Sequence, residues 1–154
     1  MLRKGFHSGS RLLVAAFACF SLAGLAHAAD VTLGDLEIAG AHIGATMPGA
    51  PVAGGYLTIR NHGETPDRLV SVSAPFAGMA EVHEMKMDGE VMKMRPVEGG
   101  LELPPGGEVV LDKGGYHLMF MHLHDAPEKG ATAPVTLTFE KAGEVQVEAV
   151  AKDE

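Results

Sequence analysis

The sequence predicts an all-β sandwich or barrel with a single domain, and three observations support this. Short segments that alternate apolar and polar residues, or that are rich in β-branched residues, recur along the chain of 154 residues. Glycine (20 residues) and proline (9 residues) provide turns between these segments. No window of helical length shows the 3.6-residue apolar period of an amphipathic helix. Regularly spaced short strands with such turns are typical of sandwiches and barrels.

The first 28 residues have the pattern of a secretory signal peptide. Three basic residues precede an apolar run over 12–25, and Ala26-His27-Ala28 fits a cleavage site. The apolar run is too short to cross a membrane comfortably. The residues before Cys19 (Ala-Phe-Ala) do not match a lipidation signal. We therefore expect cleavage after Ala28 and an exported domain that covers 29–154.

The expected mature domain is strongly acidic and contains no cysteine. It keeps all 20 Asp and Glu but only nine of the 12 Lys and Arg, which gives a formal net charge of −11. Such a chain is a poor ligand for nucleic acid or for an anionic membrane. Disulfide, thiol-redox and cysteine-nucleophile functions are excluded, and so is a blue-copper centre, which needs a thiolate ligand.

Nine strands are predicted along this domain. Each segment alternates apolar and polar residues, as EVQVEAV does, or is rich in β-branched residues, as DRLVSVS is. Turn residues such as Asp-Gly, Gly-Gly and Pro-Gly separate the segments. In chain order the predicted strands are 31–38, 55–61, 67–73, 80–87, 91–97, 107–112, 116–123, 133–140 and 144–150.

The clearest local signal is the hairpin AEVHEMKM-DG-EVMKMRPV. Asp-Gly between two alternating runs predicts a two-residue type I′ turn at Asp88-Gly89. In that register His83 lies opposite Met94 on one face, and Glu84 lies opposite Lys93 on the other. An imidazole and a thioether at this spacing can share a metal ion, although a histidine packed among core methionines gives the same pattern.

A second strand offers another imidazole and another thioether. The period of two in 116–123 places His117 and Met119 on one face. Together with the hairpin, this predicts a metal site formed by His83, Met94, His117 and Met119. Thioethers are neutral and soft, so such a set favours Cu(I) over Zn(II), Mg(II) or Ca(II).

At these residues the chain resembles the periplasmic copper chaperone family PCu(A)C, whose motif is His-(x)10-Met-(x)21-His-x-Met. Ten residues separate His83 from Met94, as in the motif, and 22 separate Met94 from His117. We expect the one extra residue to lie in the turn at Glu98-Gly99-Gly100. The stretches YLTIRNHGETPDRLV, HEMKMDGEVMKMRPV and GGYHLMFM carry the resemblance over most of 31–140.

One stretch departs from the family pattern. Family members often have Ala-Trp-x-Arg near the start of the domain, where this chain has Ala41-His42-Ile43-Gly44. His42 stands where the family has Trp, and Gly44 stands where it has Arg. We interpret His42 as a surface residue, with an additional metal ligand as the alternative.

The resemblance implies a cupredoxin-like Greek-key fold and a periplasmic Cu(I) carrier that is not an enzyme. It also implies that copper is delivered to the binuclear copper centre of cytochrome c oxidase subunit II, alongside Sco-type proteins. We expect a monomer, with Cu(II) as a second candidate ion. Three alternatives stay open: a periplasmic copper buffer without a dedicated acceptor, a copper-dependent oxidase or dismutase, and a structural β-domain with methionines in its core.

Two further groups of residues are candidates for weaker roles. His122 and His124 are two positions apart and are predicted to bind Cu(II) or Zn(II) weakly, although surface histidine pairs without metal are common. The remaining methionines of the domain fill either the core or the rim of the site. They are Met47, Met79, Met85, Met87, Met92 and Met121.

Overall fold

The computed structural model describes residues 28–153, which form eleven β-strands. The predicted signal peptide lies outside the described residues, so its cleavage after Ala28 stays a prediction. Within 28–153, no helix is long and apolar enough to cross a membrane. The strands are β1 Val31–Leu33, β2 Leu36–Gly44, β3 Val52–Asn61, β4 Asp67–Ser73, β5 Ala77–Asp88, β6 Val91–Pro96, β7 Leu101–Leu103, β8 Glu108–Leu111, β9 Tyr116–Leu123, β10 Thr132–Phe139 and β11 Gly143–Lys152.

The strands form one hydrogen-bonded sheet that curls around a core. Their order is β6-β5-β9-β3-β2-β11-β10-β4-β7, with β1 paired to β2 and β8 paired to β3. β11 and β2 are parallel, and the other pairs are antiparallel. β4 contacts β5 although the two are far apart in this order, so the sheet folds back on itself. The predicted all-β sandwich is confirmed.

The core determines which face of each strand is free for a site. Val82 of β5 and Leu118 and Phe120 of β9 are almost completely buried in a single apolar cluster. Because side chains alternate along a strand, His83 and His117 lie on the opposite, outer face. The predicted metal ligands on these two strands are therefore outside the apolar core.

The strand predictions hold best where alternation is long and turns are clear. The predicted strands 67–73 and 116–123 have the bounds of β4 and β9. The single strand predicted over 31–38 is wrong, because Gly34 adopts a φ of +58° and begins a tight turn that separates β1 from β2. β7 is missing from the prediction, since three residues are too few to show a period.

The turn between β5 and β6 differs from the predicted one by a single residue. Gly89-Glu90 forms the two-residue loop, not Asp88-Gly89, and Gly89 has a φ of +66°. A type II′ turn needs positive φ only at its first central position, where glycine adopts it without strain. The predicted type I′ turn would have required positive φ at Asp88 as well.

This change in the turn moves every cross-strand pair by two positions. Met94 pairs with Met85, so the predicted pairing of His83 with Met94 is wrong, and Pro96 lies opposite His83 instead. A shift of two residues preserves the faces, because side chains repeat every two residues. Met94 therefore stays on the same face as His83, one diagonal position away.

The other face of the β5–β6 hairpin is charged. Glu84 pairs with Arg95, with 2.8 Å between the carboxylate oxygen and the guanidinium nitrogen, so the predicted pairing of Glu84 with Lys93 is wrong. Lys93 lies opposite Lys86 and contacts Asp88. β6 is the first strand in the order and is exposed along its whole length.

Candidate metal centre

Two buried histidines face each other at the centre of the predicted site. β5 and β9 are antiparallel neighbours, and their register places His83 directly opposite His117. The ring centroids are 6.0 Å apart, and the residues are only 8% and 5% exposed. Buried imidazoles need polar partners or a metal ion, because burial without a partner costs free energy.

The contacts of His117 identify the nitrogen that is free to bind a metal. Nδ1 lies 3.2 Å from the carbonyl oxygen of Gly115, which only accepts hydrogen bonds, so Nδ1 carries the proton and donates it. The lone pair of a neutral ring is then on Nε2, which lies 3.1 Å from Sδ of Met94. A nitrogen lone pair and a thioether sulfur at this distance are close enough to bind the same metal ion.

His83 contacts Glu81, a residue that was not predicted from the sequence to belong to the site. Nε2 of His83 lies 2.9 Å from Oε2 of Glu81. Nδ1 is buried and has no hydrogen-bond partner among residues 28–153. If Nε2–H donates to the carboxylate, the lone pair lies on Nδ1, which is then available to a metal. The period of two on β5 places Glu81 on the face of His83 and could have identified it.

The two methionines of the predicted set occupy different environments. Met119 is half-buried, two positions from His117 on the same face of β9, and pairs with Glu81 of β5 and Gly54 of β3. Met94 lies on the edge strand and is 49% exposed. One side of the centre is therefore enclosed by the sheet, and the other is formed by a thioether in contact with solvent.

The structure thus places all four predicted ligands on one face of three adjacent strands. His83, His117 and Met94 lie close together, and Met119 is the next residue along that face of β9. All four are neutral, and two carry soft sulfur donors, which suits a monovalent soft cation. Within 28–153, no group of three or more His, Cys, Asp or Glu side chains could hold a metal ion.

The weaker candidates are placed apart from this centre. His42 pairs with Tyr56, its ring packs on the tyrosine ring at 5.2 Å, and its Nδ1 contacts the carbonyl of Gly40 at 2.9 Å. His124 lies beyond the end of β9, and its Nε2 is 2.7 Å from the carbonyl of Pro75. That contact occupies one nitrogen of the His124 ring, and the weak site at His122 and His124 stays a prediction.

Comparisons with known proteins identify one matching family and several similar solved structures. The LpqE-like family of lipoproteins matches residues 36–151. A copper-bound PCuAC domain from PmoF2 superposes with a TM-score of 0.70 and 26% identity, over 82% of this chain and 99% of that chain. An apo PCuAC domain from PmoF1 gives a TM-score of 0.69 and 28% identity, over 82% and 100%.

A third solved structure is also similar to this chain. CuI-DR1885 from Deinococcus radiodurans matches with a TM-score of 0.61 and 26% identity, over 74% of this chain and 76% of that chain. No curated protein sequence matches this chain. The resemblance inferred from the motif and the cupredoxin-like fold that it implied are both confirmed.

Proposed function

Since the chain belongs to the LpqE-like family and shares the fold of PCuAC domains, we propose that it is an exported Cu(I)-binding metallochaperone. The observation that carries the proposal is the contact between Nε2 of His117 and Sδ of Met94, beside the buried ring of His83. Two of the similar structures are copper-bound, and one of these names Cu(I). These relatives support Cu(I) as the ion.

Each ligand has a distinct role in the proposed site. His83 and His117 hold the ion from the sheet side, through Nδ1 and Nε2 respectively, and Met119 adds a half-buried thioether. Met94 closes the site from the solvent side. Four neutral donors leave the charge of Cu(I) uncompensated, and the carboxylate of Glu81, 2.9 Å from His83, offsets it.

The exposure of the ligands suits a carrier better than a permanent cofactor site. The histidines are nearly buried, whereas half of Met94 is in contact with solvent. A ligand from a docking protein can therefore replace the Met94 thioether while the imidazoles still hold the ion. Such stepwise exchange keeps copper bound throughout the transfer.

The proposed acceptor is the binuclear copper centre of cytochrome c oxidase subunit II, with Sco-type proteins acting beside it. The signal peptide predicted over 1–28 agrees with an acceptor outside the cytoplasm. A periplasmic copper buffer with the same ligands but no dedicated acceptor is the second candidate. The absence of charged ligands disfavours the Cu(II) state that an oxidase would have to reach, so we propose a non-enzymatic role.

The ligand set is tested by Cu(I) titration against a competing chelator under anaerobic conditions. We expect one tight Cu(I) in the parent, and a loss of at least about 100-fold in affinity, or about 2.7 kcal/mol, for His117→Ala and for Met94→Leu. Met47→Leu is the matched control, because Met47 is 82% exposed and lies outside the site. Equal affinity in all four proteins would reject the site.

The acceptor is tested by mixing the Cu(I)-loaded protein with an apo subunit II domain. Copper that moves to subunit II, measured after the two proteins are separated, supports a chaperone. Copper that stays on this protein while subunit II remains empty supports the buffer. Turnover of superoxide or a phenolic substrate by the loaded protein would revive the enzyme alternative.

A further inference from the structure

A block of four methionines covers one face of the β5–β6 hairpin. Met85 lies directly opposite Met94, and Met87 lies directly opposite Met92. All four are on the outer face that carries His83, because they follow it at intervals of two residues or pair with residues that do. Met87, Met92 and Met94 are 54%, 51% and 49% exposed.

Core packing does not account for these side chains. Met85 is half-buried and the other three are exposed, so the alternative that they fill the core is wrong for this hairpin. Edge strands commonly carry charges on their exposed surfaces, which discourages association. Beyond His83, the charged side chains of the paired strands lie on the other face, at Glu84, Lys86, Lys93 and Arg95. The exposed part of the hairpin thus carries thioethers on one face and charged side chains on the other.

The spacing allows several of these thioethers to reach one ion. Cβ atoms of directly opposed residues are about 4.5–5.5 Å apart, and neighbours on one face of a strand are about 6.6 Å apart. A methionine side chain has three rotatable bonds and a terminal thioether, so its sulfur can cover half of either distance. Met94 already contacts His117 at 3.1 Å, which leaves Met85, Met87 and Met92 as a separate group of three.

We propose that Met85, Met87 and Met92 form a second, outer Cu(I) site that loads and unloads the inner one. The donor set is purely thioether, so it selects Cu(I) but binds it more weakly than a set with two imidazoles. Met94 lies between the two sites and can bind an ion in either. This inference rests on the proposed function, because it takes copper as the cargo of the inner site.

Movement between the sites requires only ligand exchange. A Cu–S bond to Met94 forms as a Cu–S bond to one outer methionine breaks, and the imidazoles of the inner site then replace the remaining thioethers. The ion stays Cu(I) throughout, and every ligand is neutral before and after. No electron, proton or other reactant is therefore needed.

The test is an anaerobic Cu(I) titration of the protein labelled with ¹³C at the methionine methyl groups, followed by NMR. Cu(I) is diamagnetic, so each methyl signal reports its own environment. We expect the first equivalent to shift Met94 and Met119, and the second, weaker equivalent to shift Met85, Met87 and Met92. The methyl signal of Met47 serves as the control, because this exposed residue lies outside the hairpin.

A triple variant, M85L/M87L/M92L, removes the outer sulfurs and keeps the side-chain volume. We expect it to keep the first binding event and lose the second. Removal of Cu(I) from the inner site by a chelator should slow by about tenfold, which corresponds to about 1.4 kcal/mol in the exchange barrier. Because Met87 and Met92 are exposed, the variant should fold, and the single variant M87L should give an intermediate rate.

Three results would overturn the outer site. They are a second event that persists in the triple variant, a shift of Met47 at the same copper concentration as the hairpin methyls, and chelator exchange at the parent rate. Failure of the proposed function looks different, because the first event at Met94 and Met119 would then be missing from the parent. Shifts at the three outer methyls alone would support the outer site and reject the inner one.

Discussion

In the proposed site, two oxygen contacts set which nitrogen of each histidine is free to bind copper. Nδ1–H of His117 donates a hydrogen bond to the carbonyl of Gly115, and in the proposed site Nε2–H of His83 donates one to the carboxylate of Glu81. The free lone pairs then lie on different ring atoms in the two residues. Second partners of this kind orient a metal-binding histidine and raise its basicity. We therefore expect Glu81 to be a positioning residue for the site, although it is not among its predicted ligands.

Replacing Glu81 tests this role at the residue scale. We expect Glu81→Ala to weaken Cu(I) binding by roughly 10–100-fold, and Glu81→Gln to restore part of the loss, because its amide oxygen still accepts a hydrogen bond. Long-range ¹H–¹⁵N NMR of the copper-loaded parent should show coordination through Nδ1 of His83. Glu84→Ala, on the same strand but on the charged face, should bind copper as the parent does.

The outcome for Glu81→Ala separates a positioning role from a merely structural one. A variant with parent affinity and an unchanged His83 tautomer would show that the carboxylate does not orient the ring. Copper coordination through Nε2 of His83 in the loaded parent would also contradict the proposed tautomer. The carboxylate of Glu81 would then have to move away from that nitrogen.

The sequence predicted where the candidate ligands lie better than it predicted their neighbours. Motif spacing led to His83, Met94, His117 and Met119, which the structure places on one face. Spacing could not reveal the hydrogen bond from His83 to Glu81, since that depends on a rotamer. The partner of His124 was equally beyond the sequence, because His124 lies past the end of β9, where its ring contacts the carbonyl of Pro75.

At the scale of elements, the sequence predicted faces more reliably than partners. The alternation in β5 and β6 placed His83 and Met94 on one face, and this survived a register that differs by two positions. The register itself depends on one turn, in which either Asp88-Gly89 or Gly89-Glu90 can form the loop. The order of strands in the sheet depends on contacts between distant segments, which local patterns do not contain.

Away from the metal centre, the buried carboxylate of Asp67 connects β4 to the turn between β10 and β11. Asp67 begins β4, and its oxygens accept hydrogen bonds from the backbone N–H groups of Arg68, Lys141 and Ala142 at 2.7, 2.9 and 3.0 Å. Burial raises the pKa of Asp67, but the three donors outweigh it and hold the pKa below its ordinary value. The charged side chain thus ties the turn between β10 and β11 to β4.

Asp67→Asn should destabilise the fold in a pH-dependent way. An amide has one acceptor oxygen, so the N–H of Ala142 would face an NH₂ group, and we expect a loss of about 1–3 kcal/mol in the free energy of unfolding at pH 7. A lowered pKa contributes stability that is complete above the unfolded pKa of about 3.9 and disappears as the pH falls through the folded pKa. The difference between parent and variant should therefore shrink below about pH 4.

Denaturant unfolding at several pH values measures this difference. Asp112→Asn is the matched control, because Asp112 is exposed and accepts a hydrogen bond from a single backbone N–H, that of Gly114. A gap between parent and Asp67→Asn that is constant from pH 7 to pH 3 would show that the charge of Asp67 does not stabilise the turn.

At the scale of the whole molecule, the sheet separates stability from metal binding. The inner faces of β5 and β9 contribute Val82, Leu118 and Phe120 to the core, while the outer faces carry His83 and His117. Ligand substitutions thus remove few core contacts, and the variants proposed above should fold. The separation would also let the exposed Met94 exchange its ion while the sheet stays rigid.

Copper should nevertheless stabilise the whole domain, because its ligands lie on three strands. Among the strands of residues 28–153, β6 pairs with β5 alone, and an ion shared by Met94 and His117 would join it to β9 as well. Binding to the folded state adds about 4.1 kcal/mol when free Cu(I) is 1,000 times Kd. For a domain of this size that corresponds to a rise in Tm on the order of 10 °C.

Thermal unfolding with and without buffered Cu(I) should show this rise in the parent and in Met47→Leu but not in His117→Ala. The comparison uses the copper-induced change within each protein, so a lower starting Tm in His117→Ala does not affect it. An equal rise in His117→Ala would mean that copper stabilises the fold from somewhere other than the β5–β6–β9 face.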